Sequence, residues 1–276
     1  MKTALFVSAA VLLSACQFDK SVEFGKGAPE SQSEFQSASK TYQALVESAR
    51  EAERAGRFQD AATLYRSAAR VDPDRLEALV SLGDVLARGG ASDEAAEAFR
   101  AALQKDPKNT EALRGLGNAL VVLGQPDLAV TFYRQALEQD PSDHRSYLGL
   151  GVSNDLSGAF DVARSYYDAG LALAPENADL LSNKGLSLAL TGQYDEAIQL
   201  GTEALEKGGR RYQHRTTLAL IYGISGQFEK ARQLSAQDFD SVSLERNIQY
   251  FRTLHGLQDP LERVRSLRAF YQSLSS

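Results

Sequence analysis

The sequence has no tryptophan, a single cysteine and only three histidines (His144, His214, His255), and each shortage excludes something. One thiol cannot close an internal disulfide, and one cysteine with three scattered histidines does not give the spacings of a Cys/His zinc site. Basic residues are outnumbered 30 to 36, and the formal charge of −6 argues against a phosphate backbone as the main partner. Signatures of chemistry are missing too: no G-x-S-x-G, H-E-x-x-H or Walker sequence occurs. Gly115-Leu-Gly117 and Gly149-Leu-Gly151 begin like dinucleotide loops, but they lack the third glycine and follow no strand, so they read as helix-packing glycines. Ser37-Ala-Ser-Lys40 has the S-x-x-K spacing of serine acyl-enzymes without companion motifs. We therefore expect no catalytic residue, metal ligand set, cofactor or small-molecule substrate. What is present is 43% apolar residues, rich in alanine and leucine, with 21 glycines besides, which suits closely packed helices.

Residues 1–15 have the order of a signal peptide: Lys2, an apolar run from Ala4 to Leu13, then small residues. That run is well short of the ~20 residues a membrane-crossing helix needs. Leu13-Ser14-Ala15-Cys16 resembles the lipobox of bacterial lipoproteins, which implies cleavage before Cys16 and acylation of its sulfur. Gln17 in the second mature position, where aspartate is absent, implies by the same resemblance an anchor at the periplasmic face of the outer membrane. Residues 16–39, rich in Ser, Glu, Gly and Gln without an apolar period, read as a flexible tether with a reach of roughly 25 Å.

From 40 to 245 the chain repeats. Prolines stand at 73, 107, 141 and 175, and a period of 34 residues aligns six units starting at 42, 76, 110, 144, 178 and 212. The eighth position is always Gly or Ala, as in Gly83, Gly117 and Gly151, and the twentieth is always Ala, from Ala61 to Ala231. Glycine at the fifteenth position (Gly56, Gly90, Gly124, Gly158, Gly192, Gly226) ends each first helix, and an acid three residues later opens the second, with Gln59 the exception. Aromatic residues at the twenty-fourth position (Tyr65, Phe99, Tyr133, Tyr167) fill the groove beside the small residues. The pattern resembles the tetratricopeptide repeat. It implies an all-α, right-handed solenoid of about six helix pairs. Departures cluster toward the ends: Gly201 replaces an aromatic, and Arg215, Ser235 and Asp238 stand at normally apolar or small positions.

Residues 246–276 are expected to form C-terminal capping helices, split near Gly256 to Pro260. Leu244, Ile248, Phe251 and Leu254 recur at helical spacing, as do Leu261, Val264, Leu267, Phe270, Tyr271 and Leu274. Five arginines here (Arg246, Arg252, Arg263, Arg265, Arg268) read as a solvated capping face.

In the tetratricopeptide family the first helices line the concave side. The residues that face it in repeats two to five include Val80, Asp84, Glu111, Arg114, Asn118, Val121, Arg145, Leu148, Val152, Asp155, Asp179 and Leu186. An apolar floor edged by net negative charge suits a basic amphipathic peptide or helix. The alternative is that several of these aliphatic residues pack against the adjacent repeat. Lipobox, tether, six repeats and a closing segment with Ala231-Arg232 and Asn247-Ile-Gln-Tyr250-Phe251 resemble the TadD-type lipoproteins of tight-adherence (Flp) pilus systems. That resemblance implies a scaffold that binds pilus-secretion components such as a secretin, in the manner of a pilotin, and catalyses nothing. The alternative is a pilotin or assembly lipoprotein of another secretion, outer-membrane or peptidoglycan-remodelling complex.

Overall fold

The computed structural model describes residues 32–209 and 211–275, so the expected signal peptide, the expected lipid-attachment residue Cys16 and most of the expected tether lie outside the described residues. All regular structure among the described residues is helical, in fourteen helices. Two compact units divide at Gln125 and Pro126. The first holds α1 (Gln32–Arg54), α2 (Phe58–Val71), α3 (Leu76–Arg88), α4 (Ser92–Lys105) and α5 (Thr110–Val122). The second holds α6 (Pro126–Gln139), α7 (His144–Leu156), α8 (Phe160–Leu173), α9 (Ala178–Leu190), α10 (Tyr194–Lys207), α11 (Tyr212–Ile224), α12 (Phe228–Ser235), α13 (Ser241–Gly256) and α14 (Pro260–Ser275). The order of α1 to α12 follows the six repeats.

Helix ends form where the sequence places them. Gly90 and Gly158 adopt φ of 83° and 81°, and the next amides reach back over the helix end, Ala91 N to Leu86 O at 2.9 Å and Ala159 N to Asn154 O at 2.8 Å. This left-handed closure satisfies carbonyls that the helix leaves unpaired, at a conformation that is cheap only for glycine. Asn109 and Asn177 cap the starts of α5 and α9, accepting from Ala112 N at 2.9 Å and Leu180 N at 3.0 Å.

Within each unit the small positions meet rings. A methyl group on Gly115 would sit 2.3 Å from the Phe99 ring, and one on Gly83 would sit 2.6 Å from the same ring. In the second unit Gly149 faces Tyr133 and Gly151 faces Tyr167 as closely. The two glycine pairs that imitate dinucleotide loops thus include helix-packing glycines. Position twenty is fully buried in all six repeats, from Ala61 to Ala231. Where repeat five has Gly201 in place of an aromatic, Leu218 and Ile221 of α11 fill the space. The odd Arg215 and Asp238 of repeat six compensate each other: Arg215 Nε donates to Asp238 Oδ2 at 2.9 Å.

Three expectations need correction. α1 begins at Gln32, so 32–39 are helical rather than tether; the apolar face of Tyr42, Val46, Ala49 and Ala52 nucleates a helix that propagates backward through polar residues, and Arg75 holds Ser39 Oγ at 3.1 Å. The first closing helix starts at Ser241 rather than 246, because Asp240 accepts from the amides of Val242 and Ser243. Arg263 is not on a solvated face: it is 5% exposed. The side chains of Tyr271 and Leu274 lie outside the described residues.

Candidate functional site

In the first unit the sequence places the expected face on α3 and α5. Val80 is buried, so it packs between helices and offers no floor to a partner. Asp84, Glu111 and Asn118 are exposed, and Arg114 and Val121 are half-buried. Asp84 is crowded by protein on its sides; that desolvation, and then the negative charge of Glu111, push its carboxyl up to about 6, against the pull of Arg114. Toward α1 the surface is already paired, Arg50 with Glu77 and Arg88 with Glu53. What stays open in this unit is an acidic edge at Asp84 and Glu111.

In the second unit the same positions behave differently. Arg145 and Asp179 are exposed. Leu148 and Val152 pack against buried Ala163, Tyr167 and Leu180, between α7, α8 and α9. Leu186 packs against a larger cluster that includes Phe251, Leu254, Val264 and Leu267 from the closing helices. Here the aliphatic residues of the expected groove are half-buried and pack between helices with part of their surface, so changing them affects folding as well as any contact with a partner.

Asp155 is the clearest departure from an open groove. Its Oδ2 accepts from Tyr167 Oη at 2.8 Å and its Oδ1 from Ser187 Oγ at 2.7 Å, which ties α7 to α8 and α9. Burial pushes its carboxyl up to about 7, although both hydrogen bonds and Arg164 pull the other way. It is an internal polar joint and offers no free charge to a partner. The first unit has a counterpart, Tyr65 Oη donating to Glu53 at 3.2 Å across the same twelve-residue spacing. That spacing was the signal in the sequence: repeats one and four pair an acid with a tyrosine, while repeat two pairs Ala87 with Phe99.

At the start of α9, Asp179 lies 3.8 Å from His214 Nε2, and burial holds that imidazole below its ordinary value against the pull of the carboxylate. No group of three His, Cys, Asp or Glu side chains among the described residues is arranged to hold a metal ion. The other residue that sequence reasoning missed is Arg263, which joins the closing helix to the end of α9.

Two family models, both described as tetratricopeptide repeat, match the chain, one over 46–110 and 157–212 and the other over 86–150. No curated protein matches it. A tetratricopeptide repeat protein from Parabacteroides merdae is similar with a TM-score of 0.61 at 18% identity, over 86% of this chain and 99% of that one. PilF of Pseudomonas aeruginosa gives 0.58 at 17% identity over 85% and 99%. The thermophilic repeat protein TTC0263 of Thermus thermophilus gives 0.58 at 22% identity over 65% and 98%. At these identities the likeness is one of fold. None of these descriptions indicates a catalytic family.

Proposed function

Because the chain belongs to the tetratricopeptide-repeat superfamily, whose members generally bind other proteins, we propose that it is a lipid-anchored scaffold at the periplasmic face of the outer membrane. Its role is to hold protein partners during assembly of a tight-adherence (Flp/type IVb) pilus, with a secretin as the foremost candidate. The observation that carries this reading is the joining, in one chain, of a lipobox-like Leu13-Ser14-Ala15-Cys16 to a body of tetratricopeptide repeats. Two or three acyl chains on Cys16 hold such a body to a membrane, where one alone would anchor marginally. Gln17 and the closing segment around Asn247–Phe251 support the membrane and the system, respectively.

Cys16→Ser should abolish lipid labelling and release the protein from the outer-membrane fraction. Labelling that persists in this variant refutes the anchor. Crosslinking in the periplasm followed by mass spectrometry should then recover pilus-secretion components. Recovery of peptidoglycan hydrolases or of another secretion apparatus would move the protein to that system.

The acidic edge of the first unit gives a second expectation. Asp84→Lys with Glu111→Lys should slow association with a basic partner about ten-fold at low salt, and the difference should shrink as salt rises, since exposed charges steer encounter and are screened. Surface plasmon resonance across a salt series reads this. Equal association rates for variant and wild type at low salt would remove this edge from the binding surface.

A further inference from the structure

Two polar residues of the second unit are buried where the last repeat meets its closing helices. Ser235, the last residue of α12, is 3% exposed, and Asn247 of α13 is 7% exposed. Elsewhere helical hydroxyls turn back to the carbonyl four residues earlier, Ser153 Oγ to Gly149 O at 2.8 Å and Thr202 Oγ1 to Ile198 O at 2.7 Å. Helical asparagines do the same, Asn154 Nδ2 donating to Leu150 O at 2.7 Å and Asn183 Nδ2 to Asp179 O at 2.8 Å. Neither Ser235 Oγ nor the Asn247 amide takes that route, and neither bonds to another described residue. A polar side chain taken out of water in this way costs free energy until something bonds to it.

Both residues line one recess, with Thr216 and Leu220 of α11, Phe239 and Phe251 among its other walls. The closing helices hold it in place. Tyr250 of α13 and Phe270 of α14, which also border it, stack with ring centres 3.9 Å apart, and Tyr250 Oη lies 3.3 Å from Ser266 Oγ. Ser235 stands at the twenty-fourth position of its repeat, which is aromatic in the first four repeats, so the recess lies beside a side chain smaller by a whole ring. Its volume is about 20 Å³. One water molecule needs roughly 10–15 Å³ on this measure, whereas pockets for organic ligands run to several hundred. A buried water also needs two to four polar partners. Asn247 offers donors and an acceptor, and Ser235 offers one hydroxyl that does both. Thr216 Oγ1 donates to Gln213 O at 2.9 Å and keeps lone pairs with which to accept.

We propose that this recess is the binding site of one internal water molecule, which bridges Ser235 and Asn247 and so joins α12 to α13. The serine that departs from the repeat pattern then has a partner in the closing segment, as Arg215 has one in Asp238. The site depends neither on the membrane anchor nor on the pilus system.

Oxygen-17 magnetic relaxation dispersion, which counts long-lived internal waters, tests this on the folded protein. The comparison is between wild type and the double variant Ser235→Ala with Asn247→Leu. Leucine keeps the branched outline of asparagine without its polar atoms, and an apolar recess stays dry. The variant should lose the contribution of a single water. Equal dispersion from the two folded proteins would overturn the proposal. Should the double variant fail to fold, a crystal structure of the wild type decides. Density for one water within about 3.2 Å of both Ser235 Oγ and the Asn247 side chain establishes the site. A dry recess, with Ser235 Oγ turned back to Ala231 O, would overturn it.

Discussion

Phe99→Ala should lower the unfolding free energy by about 3–5 kcal/mol, the usual cost of emptying a fully buried aromatic site. The expectation is at the upper end of that range because the neighbours cannot close in. Phe99 is 1% exposed, and its ring lies against Gly83 and Gly115, which have no side chains to move into the space. The backbone of α3 and α5 would have to shift, and both helices are fixed by other contacts with α4. The converse change, Gly115→Ala, should cost about 1–3 kcal/mol by overpacking, since its methyl would lie 2.3 Å from the ring. Urea denaturation followed by helical circular dichroism measures both. An unchanged midpoint for Phe99→Ala would show that ring and glycines are not in contact, and with them the register of the repeats would fall.

That register was legible because repetition multiplies weak signals. One glycine in a helix means little, but glycine or alanine at every eighth position, alanine at every twentieth and glycine at every fifteenth leave few alternatives. The turns and the buried faces follow directly. Contacts that break the repeat had no such support. Arg215 and Asp238 each looked like a defect, and only their proximity shows that they cancel. Arg263 sat among five arginines in a closing segment, and nothing in composition separates a solvated guanidinium from one aimed at a helix end more than seventy residues earlier. The expected groove was half legible for a related reason. Spacing fixes which residues share a face of a first helix, but whether Leu148, Val152 or Leu186 is open depends on what packs against that face, and α8, α9 and the closing helices do.

Asp155 should make stability fall as pH rises through neutrality, the reverse of what a salt-bridged carboxylate does. Its folded-state value of about 7 lies above the ordinary 3.8 that the unfolded chain shows. Below 3.8 both states are protonated and its contribution is fully present. Between 3.8 and about 7 the folded state retains a proton that the unfolded state has released, so each pH unit in this window removes up to about 1.4 kcal/mol. Above about 7 the folded protein holds a charge in an enclosed site, and the accumulated loss is on the order of 2–4 kcal/mol. Asp155→Asn isolates this effect. Its carbonyl still accepts from Tyr167 and its amide can donate to Ser187 Oγ, while nothing at the position titrates. Tyr167 does not confuse the window, since burial and the neighbouring carboxylate hold its hydroxyl well above 10. Variant and wild type should therefore be closest in stability near pH 4, with the variant gaining steadily up to pH 8, as read from chemical denaturation at each pH. A difference between the two proteins that stays constant from pH 4 to pH 8 would mean that Asp155 is already ionised in the folded state at low pH. The joint between α7, α8 and α9 would then be a pair of hydrogen bonds to a carboxylate, stronger than a neutral pair.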